Sequence, residues 1–128
     1  MISFGPHDAP VLVITFAGET NLMGQREGLE QLIRICEQHD AAGTTFCVLT
    51  DFRRAATPKA SVRLLTVNTI LEHRDLLHRT LNGWAFVLTS PLTRGVITAI
   101  SWIAPLPCPS KSFATEADAR DWCEEQNR

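Results

Sequence analysis

Apolar residues along this chain follow two alternating patterns, one typical of buried strands and the other of helices. Nearly continuous apolar runs occupy residues 11–16, 45–50 and 83–89, as expected of strands in a parallel sheet covered on both faces. After the first run, apolar side chains recur in steps of three, four and seven, which predicts one buried helical face: Leu22, Leu29, Leu32, Ile33 and Cys36. A short strand is predicted at residues 2–4, with a turn at residues 5–8.

Three further helices begin at recognisable start signals. Thr57 and Ser90 are each followed by a proline, and a hydroxyl before a proline is typical of a helix start. The first of these helices is predicted to run to residue 80 with a core face formed by Val62, Leu65, Thr69, His73, Leu76 and Leu77. The second carries an apolar stripe formed by Leu92, Val96, Ala99 and Ile103. Thr115 is predicted to cap a closing helix that follows a last short strand.

The predicted order of elements is β-β-α-β-α-β-α-β-α, which favours a single α/β domain over residues 1–128. Its sheet would contain about five strands, mainly parallel, joined by right-handed crossovers through about four helices. The chain has 128 residues, of which 45% are hydrophobic, and this is sufficient for one substantial core.

Charge and composition narrow the classes of function. The net charge of -2 and the scattered basic residues give no electrostatic reason to expect binding to nucleic acid. The cysteines lack metal-ligand spacing, so we predict no metal or organic cofactor and interpret Cys36, Cys47 and Cys123 as core residues of a protein in a reducing cytoplasm. We also expect a cytoplasmic protein because neither a signal peptide nor a run long enough to span a membrane is recognisable.

Several short phrases in these elements resemble the SpoIIAA-like (STAS/SEC14-type) family of small bacterial proteins. They are a strand ending in Phe16-Ala17-Gly18, a strand ending in Leu49-Thr50-Asp51-Phe52-Arg53, the apolar strand 84–89 and the closing phrase 113–122. The resemblance covers residues 11–122 and implies a SpoIIAA-like sandwich. It also implies a fold similar to that of anti-sigma-factor antagonists and a link to lipid-binding SEC14 domains.

One part of the antagonist pattern is replaced in this chain. In the antagonists, a serine in an Asp-Ser-Ser-Gly phrase at the helix start after the Asp-ending strand accepts phosphate. Residues 51–57 here read Asp-Phe-Arg-Arg-Ala-Ala-Thr, and Thr57 is the hydroxyl at that helix start. We therefore predict that Thr57 caps the helix and is not phosphorylated.

Ligands of open α/β sheets bind beyond the carboxyl ends of the parallel strands, where this sequence places a group of polar side chains. This candidate rim comprises Asp51, Arg53, Arg54, Thr57 and Ser90, with Glu19, Thr20 and Thr89 nearby. Helices starting at Thr57 and Ser90 would direct backbone N–H groups at a small anion. The alternative is that Asp51 pairs with the arginines in a solvated loop and that the hydroxyls only cap helices.

The sequence predicts no catalytic residue. Ser90 lies between a strand and a helix, but residues 88–92 do not form the motif G-x-S-x-G. Pro91 also lacks the backbone N–H that this motif uses as an oxyanion donor. No histidine pairs with an activated nucleophile, so an enzyme is the third-ranked hypothesis.

A second apolar line on the helix predicted at residues 58–80 suggests a partner. Leu64, Val67 and Leu71 follow one another at i, i+3 and i+7, away from the predicted core face. They are candidate contacts of a homodimer, unless another element of the same chain covers them.

The first functional hypothesis is therefore a non-enzymatic regulatory or binding domain that self-associates or binds a regulatory protein. The second is a carrier of a small apolar or lipid-like ligand, as the link to SEC14 domains would imply.

Overall fold

The computed structural model describes residues 1–6 and 10–128, which form five strands and five helices. In chain order these are β1 (Ile2–Phe4), β2 (Val11–Gly18), α1 (Leu22–Ala42), β3 (Phe46–Ala55), α2 (Ala60–Glu72), α3 (Arg74–Thr80), β4 (Leu81–Val87), α4 (Pro91–Ile103), β5 (Ser110–Phe113) and α5 (Glu116–Gln126). The turn predicted at residues 5–8 lies partly outside the described residues.

The strands form one sheet in the order β1-β2-β3-β4-β5. β1 is antiparallel to β2, and every other neighbouring pair is parallel. Val48 of β3 lies at the centre, with Leu12 of β2 and Trp84 of β4 as its register partners. The predicted α/β sheet, mainly parallel and of five strands, is confirmed.

The central strands contribute to two separate cores, because successive side chains point to opposite faces of a sheet. On one face, Leu12, Val48 and Phe86 pack in a core shared with α1, α2 and α3. On the other face, Leu49 and Val87 join a smaller core that also contains residues from α5. The two faces therefore carry different helical layers.

The region predicted as one helix over residues 58–80 is two helices, so the predicted number of about four helices is too low by one. α2 ends at Glu72 and α3 begins at Arg74, with His73 between them at φ -110° and ψ 22°. The carbonyl oxygen of Thr69 accepts the backbone N–H of His73 at 3.0 Å and lies 3.1 Å from its ring Nδ1. The break therefore lies in the backbone angles of His73, since the carbonyl oxygen of His73 also accepts the Leu77 N–H at 3.0 Å.

β3 is longer than the sequence predicted. It continues four residues past Asp51, to Ala55. The extension is stabilised by β2, because Ala17 pairs with Arg54 and Gly18 with Ala55 after a register shift. Arg53 and Arg54 are therefore strand residues, whereas the sequence placed them in a loop.

This longer strand moves the next helix start, and the predicted cap at Thr57 is wrong. α2 begins at Ala60 with Lys59 at its N-cap position, and no side chain caps it. Thr57 is exposed in the link between β3 and α2. The caps predicted at Ser90 and Thr115 are confirmed. The Ser90 hydroxyl oxygen accepts the backbone N–H of Thr93, and the Thr115 hydroxyl oxygen accepts that of Asp118.

We expect Thr57→Ala to change the free energy of unfolding by less than about 0.5 kcal/mol, because the hydroxyl caps nothing. The matched change Thr115→Ala should lower it by about 1 kcal/mol, since that hydroxyl accepts the Asp118 N–H at 3.2 Å. Urea unfolding of both variants measures the difference. A loss at Thr57 as large as the loss at Thr115 would contradict the observed helix start.

Most of the apolar stripe predicted on α4 lies at the surface, and of its four members only Val96 is half-buried. Leu92, Ala99 and Ile103 are exposed, whereas Ile97 and Ile100 pack against the core. The apolar side chains of α4 are concentrated on one side of the helix, and that side, which carries Leu92, Ala99 and Ile103, lies at the surface rather than against the core. The helix therefore presents apolar side chains to both the interior and the surface.

Candidate functional site

A cavity of about 590 Å³ lies between one face of the sheet and the helices α1, α2 and α4. The strands contribute apolar side chains to its floor: Ile2, Phe4, Ile14, Phe16, Phe52, Trp84 and Phe86. The helices contribute apolar side chains to its walls: Leu29, Leu32, Ile33, Val62, Ile70, Val96, Ile97 and Ile100. Because well-packed interiors contain few voids larger than a water molecule, a cavity of this volume is a candidate binding site.

The aromatic rings of the floor form a continuous row across β2, β3 and β4. The ring centroids of Phe16 and Phe52 are 4.9 Å apart, those of Phe52 and Phe86 6.2 Å, and those of Phe86 and Trp84 5.9 Å. The one polar atom in this row is paired, since Trp84 Nε1 donates to Thr50 Oγ1 at 2.8 Å. The floor therefore offers an apolar surface without an unpaired indole N–H.

Three buried polar residues line the cavity, Thr50, Thr93 and Gln25 of α1, and Gln25 has the longest side chain of the three. Its side chain is 7% exposed, and its Nε2 donates to Thr66 Oγ1 at 2.9 Å. The Thr66 hydroxyl in turn donates to the Val62 carbonyl at 3.0 Å, which orients the amide. Gln25 Oε1 has no hydrogen-bond partner among the described residues. An unpaired buried acceptor costs about 1–3 kcal/mol, so a donor supplied by a ligand would be stabilising.

The structure does not assemble the candidate rim into one site. Thr57 borders the cavity, as do Glu19 and Thr20. Asp51, Arg53, Arg54 and Ser90 lie outside the cavity lining. Ser90 caps α4 through the Thr93 N–H at 3.4 Å.

Asp51 and Arg53 form a bidentate ion pair. Arg53 Nε donates to Asp51 Oδ1 at 3.0 Å, and Arg53 Nη2 donates to Asp51 Oδ2 at 2.8 Å. The pair forms because residues i and i+2 of a strand point to the same side. The hydrogen bond from the guanidinium lowers the pKa of the Asp51 carboxyl. Asp51 therefore has a partner within its own strand, as the alternative interpretation of the rim proposed.

The Asp51–Arg53 pair should contribute a small, pH-dependent increment of stability. Because the pKa of Asp51 is lower in the folded state, the increment is present above the ordinary aspartate pKa and is lost as the pH falls through the folded value. We expect Asp51→Asn to cost up to about 1 kcal/mol at neutral pH, since solvent screens the pair at the Arg53 side chain, which is 40% exposed. Urea unfolding at neutral pH and near pH 3 tests this. A cost that stays the same at acid pH would show that charge is not its cause.

The predicted partner line is only partly at the surface. Leu64 is 60% exposed and Leu71 48%, but Val67 is 5% exposed and packs in the core. The assignment of Val67 to a partner contact is therefore wrong. Val67 is buried because it lies at the edge of the inward face of α2, three residues before the buried Ile70, whereas Leu64 and Leu71 lie further toward the solvent side of the helix.

Sequence reasoning missed the two features that define the cavity. Gln25 lies in step with Leu22, Leu29 and Leu32, and a polar residue on an apolar helical face is a signal that could have identified it. The aromatic row had no such signal, because its members come from three separate strands. The sequence pattern also did not indicate that Trp102 of α4 lies at the surface, where it is 80% exposed.

Solved structures share this arrangement of sheet and helices. The anti-sigma factor antagonist SpoIIAA, in its unphosphorylated form, superposes with a TM-score of 0.64 over 97% of this chain and 98% of that chain, at 17% identity. The chain has a SpoIIAA-like fold. An uncharacterized DUF3478-family protein from Shewanella loihica with a SpoIIAA-like fold gives a TM-score of 0.62 at 19% identity, over 96% of this chain and 92% of that chain.

An anti-sigma factor antagonist from Mycobacterium paratuberculosis has the same SpoIIAA-like arrangement, with a TM-score of 0.59 at 21% identity over 97% of this chain and 93% of that chain. The predicted SpoIIAA-like sandwich is confirmed by these structures. No protein-family model and no curated protein sequence matches this chain.

Residues 1–6 and 10–128 contain no group of three or more His, Cys, Asp or Glu side chains placed to hold a metal ion. In the same residues, no helix combines the length and the apolar character needed to cross a bilayer.

Proposed function

We propose that this domain is a non-enzymatic binding protein and that its cavity takes a small amphipathic ligand with a long apolar part. The observation that carries the proposal is the apolar cavity of about 590 Å³. Ligand pockets typically have volumes of about 300–1,000 Å³, with mainly apolar walls and a few polar groups that orient the ligand. This proposal places the carrier hypothesis ahead of the protein-contact hypothesis.

The polar end of the ligand is inferred from Gln25. The amide nitrogen is already paired with Thr66, and the unpaired atom is the acceptor Oε1. A ligand that carries a hydroxyl or another neutral donor would therefore be favoured over one that ends in an acceptor alone. A long-chain alcohol has both features, an apolar chain for the aromatic row and one donor for Gln25.

Calorimetric titration of delipidated protein with dodecanol tests this function. Binding should raise the melting temperature, since ligand at about 100 times its Kd stabilises the folded state by about 2.7 kcal/mol. The matched control is the methyl ether of dodecanol, which keeps the chain but lacks the donor and should bind more weakly. If neither compound binds and native mass spectrometry of freshly purified protein shows no copurified ligand, the carrier function is lost.

A second candidate function is a contact with another protein, either a regulatory partner or a second copy of this chain. The supporting observation is a set of exposed large apolar side chains on α2 and α4: Leu64, Leu71, Leu92, Trp102 and Ile103. Exposed apolar groups of this kind favour protein association. The similarity of fold to anti-sigma factor antagonists also supports a regulatory role. The cytoplasmic location stays a prediction.

If α2 contributes to a homodimer, Leu71→Glu should yield folded monomers, because it places a charge in the contact. Val67→Glu on the same helix is the matched comparison and should unfold the protein, since Val67 is buried. Sedimentation at high concentration, with circular dichroism as the check on folding, distinguishes the two variants. A monomeric wild-type protein would end the dimer hypothesis.

A further inference from the structure

Cys47 and Cys123 form a close pair of thiols on the face of the sheet opposite the cavity. Cys47 belongs to β3 and Cys123 to α5, and both side chains are fully buried. Their sulfur atoms are 2.7 Å apart. This is about 0.7 Å more than the length of a disulfide bond and closer than two unbonded sulfur atoms normally approach. A small displacement of α5 toward β3 would bring the sulfurs to bonding distance.

The surroundings of the pair are apolar. The same core contains Val11, Leu49, Ala85, Val87 and Ala119. The Cys47 thiol is directed at the Cys123 sulfur. This hydrogen bond lowers the pKa of Cys123 and raises the pKa of Cys47, and Arg120 adds to the lowering at Cys123. Burial opposes ionisation of both thiols, and the positive charge of Arg120, three residues before Cys123 on α5, favours the thiolate of Cys123, which is the form that reacts.

We propose that Cys47 and Cys123 are a redox-active pair that forms a reversible disulfide when the protein meets a peroxide. The Cys123 thiolate attacks one oxygen of hydrogen peroxide, the O–O bond breaks, and Cys123 becomes a sulfenic acid while the released hydroxide takes up a proton. The sulfur of Cys47 then attacks the sulfenic sulfur and loses its proton, and the hydroxyl leaves as water. Two thiols lose two electrons and two protons, and one peroxide becomes two waters.

The disulfide would tie α5 to the central strand of the sheet. It would close a loop from residue 47 to residue 123, and a cross-link over a long loop constrains the unfolded state strongly. Because both thiols are buried, the peroxide must reach them through local opening of α5, so oxidation should be slower than for an exposed thiol. The proposal does not depend on the ligand cavity, which lies on the other face of the sheet.

Peroxide treatment of the reduced full-length protein, followed by alkylation under denaturing conditions and peptide mapping, tests the proposal. We expect a peptide that links Cys47 to Cys123, two alkylated cysteines in place of four, and a melting temperature higher by roughly 10 °C. Reductant should reverse all three changes. Cys108→Ser should behave like the wild-type protein, and Cys123→Ser should show neither the link nor the shift.

The mapping of the wild-type protein decides the outcome even if Cys123→Ser does not fold. Four alkylated cysteines after peroxide treatment would overturn the proposal. A cross-link between other cysteines would overturn it as well, and so would sulfinic acid at Cys123 without a link to Cys47.

Discussion

Replacing Ile100 with tryptophan should weaken dodecanol binding by at least about tenfold, which corresponds to about 1.4 kcal/mol. Ile100 faces the cavity from α4, and the larger indole would occupy space that the ligand needs. The stability of the empty protein should change little, because Ile100 is half-buried and the added part of the side chain extends into the cavity. Titration calorimetry measures the affinity, and thermal unfolding without ligand confirms that the variant is folded.

Ala99→Trp is the matched control for this variant. Ala99 is the neighbouring residue on α4, it is exposed, and it does not line the cavity. The same bulky residue at this position should leave the affinity for dodecanol unchanged. If the two tryptophan variants bind equally well, the ligand occupies a site other than the cavity.

The largest expected effect on stability is at Leu12, where substitution by alanine should lower the free energy of unfolding by about 3–5 kcal/mol. Leu12 is fully buried in β2, beside Val48 of the central strand, and it does not line the cavity. Truncation would leave a void in a part of the core that is already packed, and the paired strands restrict its collapse. Urea unfolding measures the loss.

Leu92→Ala provides the matched control, because Leu92 is also a leucine but is exposed on α4. It should change the free energy of unfolding by less than about 0.5 kcal/mol. Similar losses at the two positions would mean that the core described around Leu12 is incorrect. Dodecanol affinity should be unaffected in both variants, which separates the stability of the core from binding in the cavity.

The candidate site was less predictable from sequence than the fold. Gln25 could have been found from its position on an apolar helical face. The aromatic row and the cavity above it could not, because a void is a property of how far a helix lies from a sheet. The rim residues Asp51 and Arg53 illustrate the opposite case, since their polar character suggested a ligand and the structure pairs them with each other.

By itself, the sequence determined the order of the elements apart from the break at His73 between α2 and α3, the parallel central strands and the caps at Ser90 and Thr115. These features depend on interactions within a few residues, namely side-chain periodicity and hydrogen bonds to the first turn of a helix. Only the tertiary structure decided that β3 extends to Ala55 and that Val67 is buried. It also decided which face of α4 packs inward and that Cys47 lies beside Cys123. Each of these outcomes depends on contacts between residues distant in the chain, and local patterns do not encode the distances at which such residues meet.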